Sequence, residues 1–221
     1  IAGIDNALIE VDSDEIPIMD GSARDFLKCL DKIEIISQSK KRKYVKIEKK
    51  IELVDGERKI SIEPNDGSFE VEFHLNYKNK VIGNQENVVN FSKHDLNDII
   101  SSRTFCLYED IEKIKKAGLA KGGSLENAVV VDDKKVLNEK GLRNKKEFVN
   151  HKILDLAGDF LLSGHRILGK IKCYQGGHEL TNIFLRKIFT DKSSVNLFEI
   201  NEIFISKELK PSSFVKTAVN A

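Results

Sequence analysis

Phe69, Val71, Phe73 and Leu75 are apolar and their neighbours are mostly polar, the period-two alternation of a half-buried strand. The same pattern marks Ala7 to Val11 as a strand, and Tyr44 to Leu53 as another that closes at Asp55-Gly56, a strong hairpin signal. Lys59 to Glu63 is the return strand, ended by Pro64-Asn65-Asp66-Gly67, and Val88 to Phe91 makes a further one. Helical spacing takes over elsewhere. Phe26, Leu27, Leu30 and Ile33 share one face behind a cap at Ser22 or Asp20, and Leu96, Ile99 and Ile100 share another behind Ser92. A short helix around Ile111 and Ile114 stops at Gly118, and two short strands, Ala128 to Val131 and Val136-Leu137, surround Asp132-Asp133. A long helix is predicted from about Lys146 to Ser163, stopped by Gly164. A strand from Ile167 to Tyr174 and a helix from Leu180 to Ile188 follow, and a strand near Phe198 to Ile205 is conceivable.

This order of elements describes an α+β layer in which an antiparallel or mixed sheet carries helices on one face. The basic run Gln38 to Lys43 reads as a solvated linker and a domain boundary. The opening Ile1 to Val11, with no initiator Met, reads as a helix end, then Gly3, then a strand, so further residues are expected ahead of it.

Composition narrows the classes. Hydrophobic residues make up 40% of the 221, enough for a core, while 36 basic and 35 acidic residues nearly cancel. No basic excess points to nucleic acid, and with no Trp and 7% aromatics a base-stacking platform is not expected. Cys29, Cys106 and Cys173 stand far apart, which suits free thiols in a reducing compartment. No apolar run reaches about 18 residues and no signal-peptide pattern occurs, so a cytoplasmic protein without membrane insertion is expected.

Three constellations could carry chemistry. His151 and Asp155 lie four apart on the long helix, which stacks their side chains about 5–6 Å apart at Cβ. An imidazole and a carboxylate so placed can share a metal ion, and Asp159 continues the stripe. A solvated His–Asp pair on a surface helix fits the same spacing. Gly176-Gly177-His178 would set a histidine on a tight backbone at a helix N-terminus, able to act as a general acid or to be a plain turn residue. Lys121-Gly122-Gly123-Ser124 lacks the spacing of a phosphate loop and reads as a turn or as exposed backbone beside a ligand. His165 reads as a helix C-cap, and His74 and His94 as structural or surface residues.

Taken in order, Ile16-Pro17-Ile18-Met19-Asp20-Gly21-Ser22, Arg103-Thr104-Phe105, Lys121-Gly122-Gly123-Ser124, Val136-Leu137-Asn138, His151 to Asp155 with Asp159, and Gly177-His178 resemble the UDP-3-O-acyl-N-acetylglucosamine deacetylases of lipid A synthesis. The resemblance covers residues 1 to about 188. It implies two similar domains, each a sheet with two packed helices in a β-α-α-β sandwich, with the active site between them. Residues 1–37 would be the C-terminal remnant of an incomplete first domain, 38–43 the linker, 44–190 the second domain with an acyl-chain insert at about 106–131, and 191–221 a tail. It also implies Zn²⁺ as cofactor, a UDP-linked acylated amino sugar as small-molecule substrate, release of acetate, and a monomer.

By matching motif, His151 and Asp155 resemble two of three zinc ligands, His178 the imidazolium that stabilises the oxyanion and protonates the leaving amine, and Asp159 the carboxylate that orients it. Thr104 resembles the donor to the tetrahedral intermediate, and Phe105, Lys152 and Gly123 resemble substrate contacts. Leu119, Leu125 and Val129 would fit a greasy passage or ordinary core. The family's third ligand, a His, and its general base, the Glu before it, fall upstream of Ile1, so this stretch alone is expected to be inactive. A non-catalytic module of the same fold and a different hydrolase built on the same helix face are the competing readings.

Overall fold

The computed structural model describes residues 1–200. The chain opens without regular structure: Ala7 to Val11 is not a strand, and Leu8 is 87% exposed. Alternation alone does not make a strand, because its backbone groups need a partner, and none of the described residues pairs with this segment. The first helix, α1 (Arg24–Leu30), is shorter than expected, and Ile33 lies beyond it. Ser22 Oγ accepts the Arg24 N–H at 3.3 Å and is itself fixed by Asp20.

The predicted strand Tyr44 to Leu53 is two strands, β1 (Arg42–Ile47) and β2 (Ile51–Asp55), parted at the charged residues 48–50. They have different partners, which local pattern cannot reveal. β1 also begins inside the segment read as a linker. The Asp55-Gly56 signal holds: β2 pairs with β3 (Arg58–Glu63) around a two-residue turn with Gly56 at φ 59°. β4 (Phe69–Asn76) buries Val71, Phe73 and Leu75, as its alternation requires, and pairs with β5 (Asn84–Asn90). The next helix, α2 (Asn97–Ser101), starts later than Ser92, and Asp95 Oδ1 takes its first amide at 2.9 Å.

The insert consists of β6 (Phe105–Leu107), a 3-10 turn, α3 (Ile111–Lys116) and β7 (Val129–Val131), with β6 and β7 parallel. Val129 belongs to the core, whereas Leu119 and Leu125 are exposed. Asn138 staples this segment shut: its amide donates to Leu125 O and Ala128 O, and its Oδ1 accepts the Val130 N–H.

α4 (Glu147–Leu161) and α5 (His178–Ile188) flank β8 (Arg166–Tyr174) in sequence. β8 is the hub of the mixed sheet. Its first half pairs parallel with β1, and its second half lies between antiparallel β3 and parallel β4. Ile171 thereby meets Ile62 and Val71, all three fully buried. An 11-residue helix such as α5 is marginal by itself. Leu180, Phe184 and Ile188 hold it in the core, each contributing roughly 1.5–3 kcal/mol by burial. β9 (Val195–Ile200), in a stretch read as tail, adds an antiparallel edge strand against β1. The remainder of that tail, 201–221, lies outside the described residues, as does the 201–205 part of the strand expected there.

The fold is thus α+β, with helices packed on a mixed sheet. Of residues 1–37, only α1 is regular. No described helix is long and apolar enough to cross a membrane. The three cysteines are free; Cys173 is buried, and burial pushes its thiol up to about 12.

Candidate active site

The site is built on α4. Its apolar stripe, Phe148, Val149, Ile153, Leu156 and Phe160, faces the core, which turns His151, Asp155 and Asp159 toward the N-terminus of α5. His151 Nε2 lies 3.2 Å from Asp155 Oδ1. His151 Nδ1 is 3.0 Å from Ser102 O, and a carbonyl can only accept, so Nδ1 carries a proton and Nε2 is the nitrogen turned to Asp155. Lys152 Nζ donates to Asp155 Oδ2 at 3.2 Å and lies 5.5 Å from the centre of the Phe105 ring. Phe105 in turn packs edge-on against Phe148.

His178 is the first residue of α5 and its side chain is 69% exposed. Its Nδ1 is 3.0 Å from both Asp159 oxygens, and its Nε2 is 4.0 Å from Asp155 Oδ2. Asp155 therefore lies between the two imidazoles, and Asp155, Asp159 and His178 line a small cleft floored by Phe73, Leu156 and Thr181, with His151 buried behind Asp155. The two preceding glycines are not equivalent. Gly177 is extended, at φ −168°, which any residue adopts. Gly176 is required by packing, because a Cβ there would overlap Cys173 Sγ.

Burial would push the Asp155 carboxyl up. The His151 hydrogen bond and the charges of His151, Lys152 and His178 together outweigh it and hold Asp155 below the ordinary carboxylate range. For Asp159 burial wins: its carboxyl is raised, and the contact with His178 offsets only part.

Phe105 reaches this face under Lys152, and Thr104, beside it in sequence, is fixed by a backbone clamp. Thr104 N donates to Gly21 O at 2.7 Å, and Val129 N donates to Thr104 O at 2.8 Å. Gly21 sits at φ 81°, and a Cβ there would overlap the Asn127 carbonyl oxygen. Gly21→Ala is accordingly expected to cost roughly 1–3 kcal/mol by overpacking, seen as a lowered melting temperature. Gly123 is the odd member of the predicted set. Its N–H closes a turn on Ala120 O and its near neighbours are local, as in a plain turn.

Sequence reasoning passed over Glu147 and Ser102, and gave Arg103 no role beyond its place in the Arg103-Thr104-Phe105 motif. Glu147 and Arg103 form a buried ion pair at 2.8 Å, and Ser102 orients His151 through its carbonyl. An acidic residue in the first helical turn was a visible but unspecific signal for Glu147. A larger groove of about 480 Å³ lies elsewhere, between β5, α2 and the start of α4. Its amides bond one another, Asn87 to Asn150 and Asn150 to Asn144, which marks it as structural.

Could these residues hold a metal? Among the described residues no cluster of three or more His, Cys, Asp or Glu forms a ready metal site. The His151–Asp155 pair nevertheless fits two corners of one. Tetrahedral zinc with bonds of about 2.0–2.2 Å spaces its ligands about 3.3–3.6 Å apart, close to the 3.2 Å observed. A backbone carbonyl on the far nitrogen is also the usual support for a ligating histidine.

Fold and site together define an α+β protein with an imidazole–carboxylate pair facing a second, carboxylate-held imidazole, the equipment of acid–base chemistry. Residues 1–190 match the family described as LpxC: UDP-3-O-acyl N-acetylglycosamine deacetylase, and the chain belongs to that family. It is 40% identical over 195 residues to the UDP-3-O-acyl-N-acetylglucosamine deacetylase of Pseudoalteromonas translucida, covering 87% of this chain and 64% of that protein. To the protein of that name from Shewanella violacea it is 42% identical over 198 residues, covering 88% and 64%. For that of Histophilus somni the figures are 40% over 219 residues, 98% and 70%. The chain thus spans 64% of the length of the first two.

Proposed function

We propose that the protein carrying this chain hydrolyses the acetamide of a UDP-3-O-acyl-N-acetylglucosamine, releasing acetate in the synthesis of lipid A. Family membership supports the substrate class. The observation that carries the chemistry is the approach of His151 and His178 to Asp155 from two sides, with Asp159 gripping the far nitrogen of His178.

In this reading His151 Nε2 and Asp155 hold zinc, which when bound supplies a Lewis acid and a lowered water pKa. His178, held at Nδ1 by Asp159, directs Nε2–H at the developing oxyanion and then gives that proton to the leaving amine nitrogen. Thr104 donates to the same tetrahedral oxygen. Lys152, with its ammonium over the face of Phe105, is placed to meet a diphosphate. Residues 106–131 form the acyl passage, with the exposed Leu119 and Leu125 as its lining and Val129 as core behind it.

Two ligands leave a zinc ion weakly held, and among the described residues the site shows no carboxylate beyond Asp155 and Asp159 to serve as the base. We infer that activity needs, in addition, the Glu and His that the family resemblance implies, and that these 221 residues alone are inactive. We infer further a cytoplasmic monomer acting on a small molecule, with no nucleic-acid partner; near-balanced charge supports the last of these, and no described helix is of membrane length.

The test is metal analysis with acetate release on a longer polypeptide in which the Glu-His pair precedes this chain. His151→Ala is expected to empty the metal site and abolish turnover. Full metal content with unchanged acetate release in that variant rules the assignment out.

A further inference from the structure

The backbone from Ile100 to Thr104 is anchored residue by residue. Ile100 O accepts from Ala23 N at 3.1 Å, and Ser101 O accepts from Arg143 Nη1 at 2.9 Å. Ser102 O accepts from His151 Nδ1, Arg103 N donates to Glu147 Oε1 at 3.1 Å, and Thr104 N donates to Gly21 O. The consecutive residues Ser102 and Arg103 thus lean on His151 and Glu147, which lie one turn apart on the same face of α4.

Glu147 is fully buried, and its carboxylate accepts four N–H groups. Oε1 takes Arg103 N and, at 2.8 Å, Arg103 Nε. Oε2 takes Arg103 Nη2 at 3.2 Å and Arg143 N at 2.6 Å. Arg143 carries the network outward, reaching Asp20 at 2.8 Å and Ser22 Oγ at 3.2 Å. One carboxylate therefore sets the height of the 102–104 strip on α4 and ties that strip to the Asp20-Gly21-Ser22 turn that holds Thr104 from the other side.

We propose that Glu147 is a positioning residue for His151 and Thr104: by clamping Arg103 it keeps the Ser102 carbonyl on His151 Nδ1, so that Nε2 alone faces Asp155. The proposal rests on the reading of His151 as a metal ligand, but its first consequence, the hydrogen bond from His151 Nδ1 to Ser102 O, exists without metal. A buried ion pair of purely structural importance would lower stability and leave that hydrogen bond unchanged. Glu147 touches no reacting group, and its effect passes through two backbone residues.

The experiment compares this chain with Glu147→Gln and Ile153→Val by ¹⁵N spectra of labelled histidine without metal, and then compares the same variants of the longer polypeptide by zinc(II) competition against a chromophoric chelator. Ile153 is a buried α4 residue outside the network and controls for lost stability. The parent and Ile153→Val are expected to show His151 Nδ1 protonated and hydrogen-bonded. Glu147→Gln swaps two acceptor positions for an amide NH₂ that opposes the Arg103 or Arg143 donors. It is expected to weaken that Nδ1–H hydrogen bond and to bind zinc about 10–100-fold more weakly. A parental Nδ1–H signal with parental zinc affinity in Glu147→Gln overturns the proposal. Should that variant fail to fold, Glu147→Asp, which keeps the charge but shortens the reach, carries the same comparison. If the parent shows the hydrogen bond, Glu147→Gln loses it, and neither longer polypeptide binds zinc, the metal reading fails while the positioning role stands.

Discussion

His178→Ala is expected to lower acetate release by about 10²–10⁴-fold while leaving metal content intact. His178 stands apart from the His151–Asp155 pair, with its nearest approach, Nε2 to Asp155 Oδ2, at 4.0 Å, so its loss opens no ligand position. In the proposed mechanism, what disappears is the proton donor for the leaving amine and a donor to the oxyanion. The side chain is largely exposed and caps no core contact, so the fold should be unaffected. Steady-state kinetics with metal analysis on the longer polypeptide reads both halves of the prediction. Loss of metal together with turnover would move His178 into the ligand set. Retention of full turnover would remove it from the chemistry.

Arg103→Leu is expected to destabilise the chain by about 3–5 kcal/mol, the cost of leaving a buried charge without its partner. Glu147 is sealed from solvent and Arg103 nearly so, and the guanidinium supplies two of the four N–H groups on that carboxylate. For a chain of this size such a loss corresponds to a fall of roughly 6–20 °C in melting temperature. The double variant Arg103→Leu, Glu147→Leu should recover part of it, because the paired charges are removed together. Equal melting temperatures for parent and Arg103→Leu would show that the pair contributes nothing.

Much of the architecture was legible because it is local. The alternation through β4, the Asp55-Gly56 turn and the 3.6-residue stripe on α4 each follow from neighbours within a few residues. The errors share a cause. Ala7 to Val11 alternates but finds no partner, β1 and β2 run together in sequence yet join different strands, and β9 becomes a strand only because β1 offers its edge. Strand pairing is a long-range contract that a local pattern does not record.

The site divides in the same way. That His151, Asp155 and Asp159 share a face was fixed by helical spacing alone, since residues four apart must stack. That His178 meets Asp159 at 3.0 Å depended on β8 carrying the chain across the sheet and back to α4. Which nitrogen of His151 faces Asp155 depended on the Ser102 carbonyl, 49 positions away, and thus on the buried clamp between Glu147 and Arg103. Sequence by itself determined which groups exist and which lie on one turn of helix. The tertiary structure decided which of them face each other, because cross-strand and helix-to-helix approach is set by packing of the whole core rather than by any segment within it.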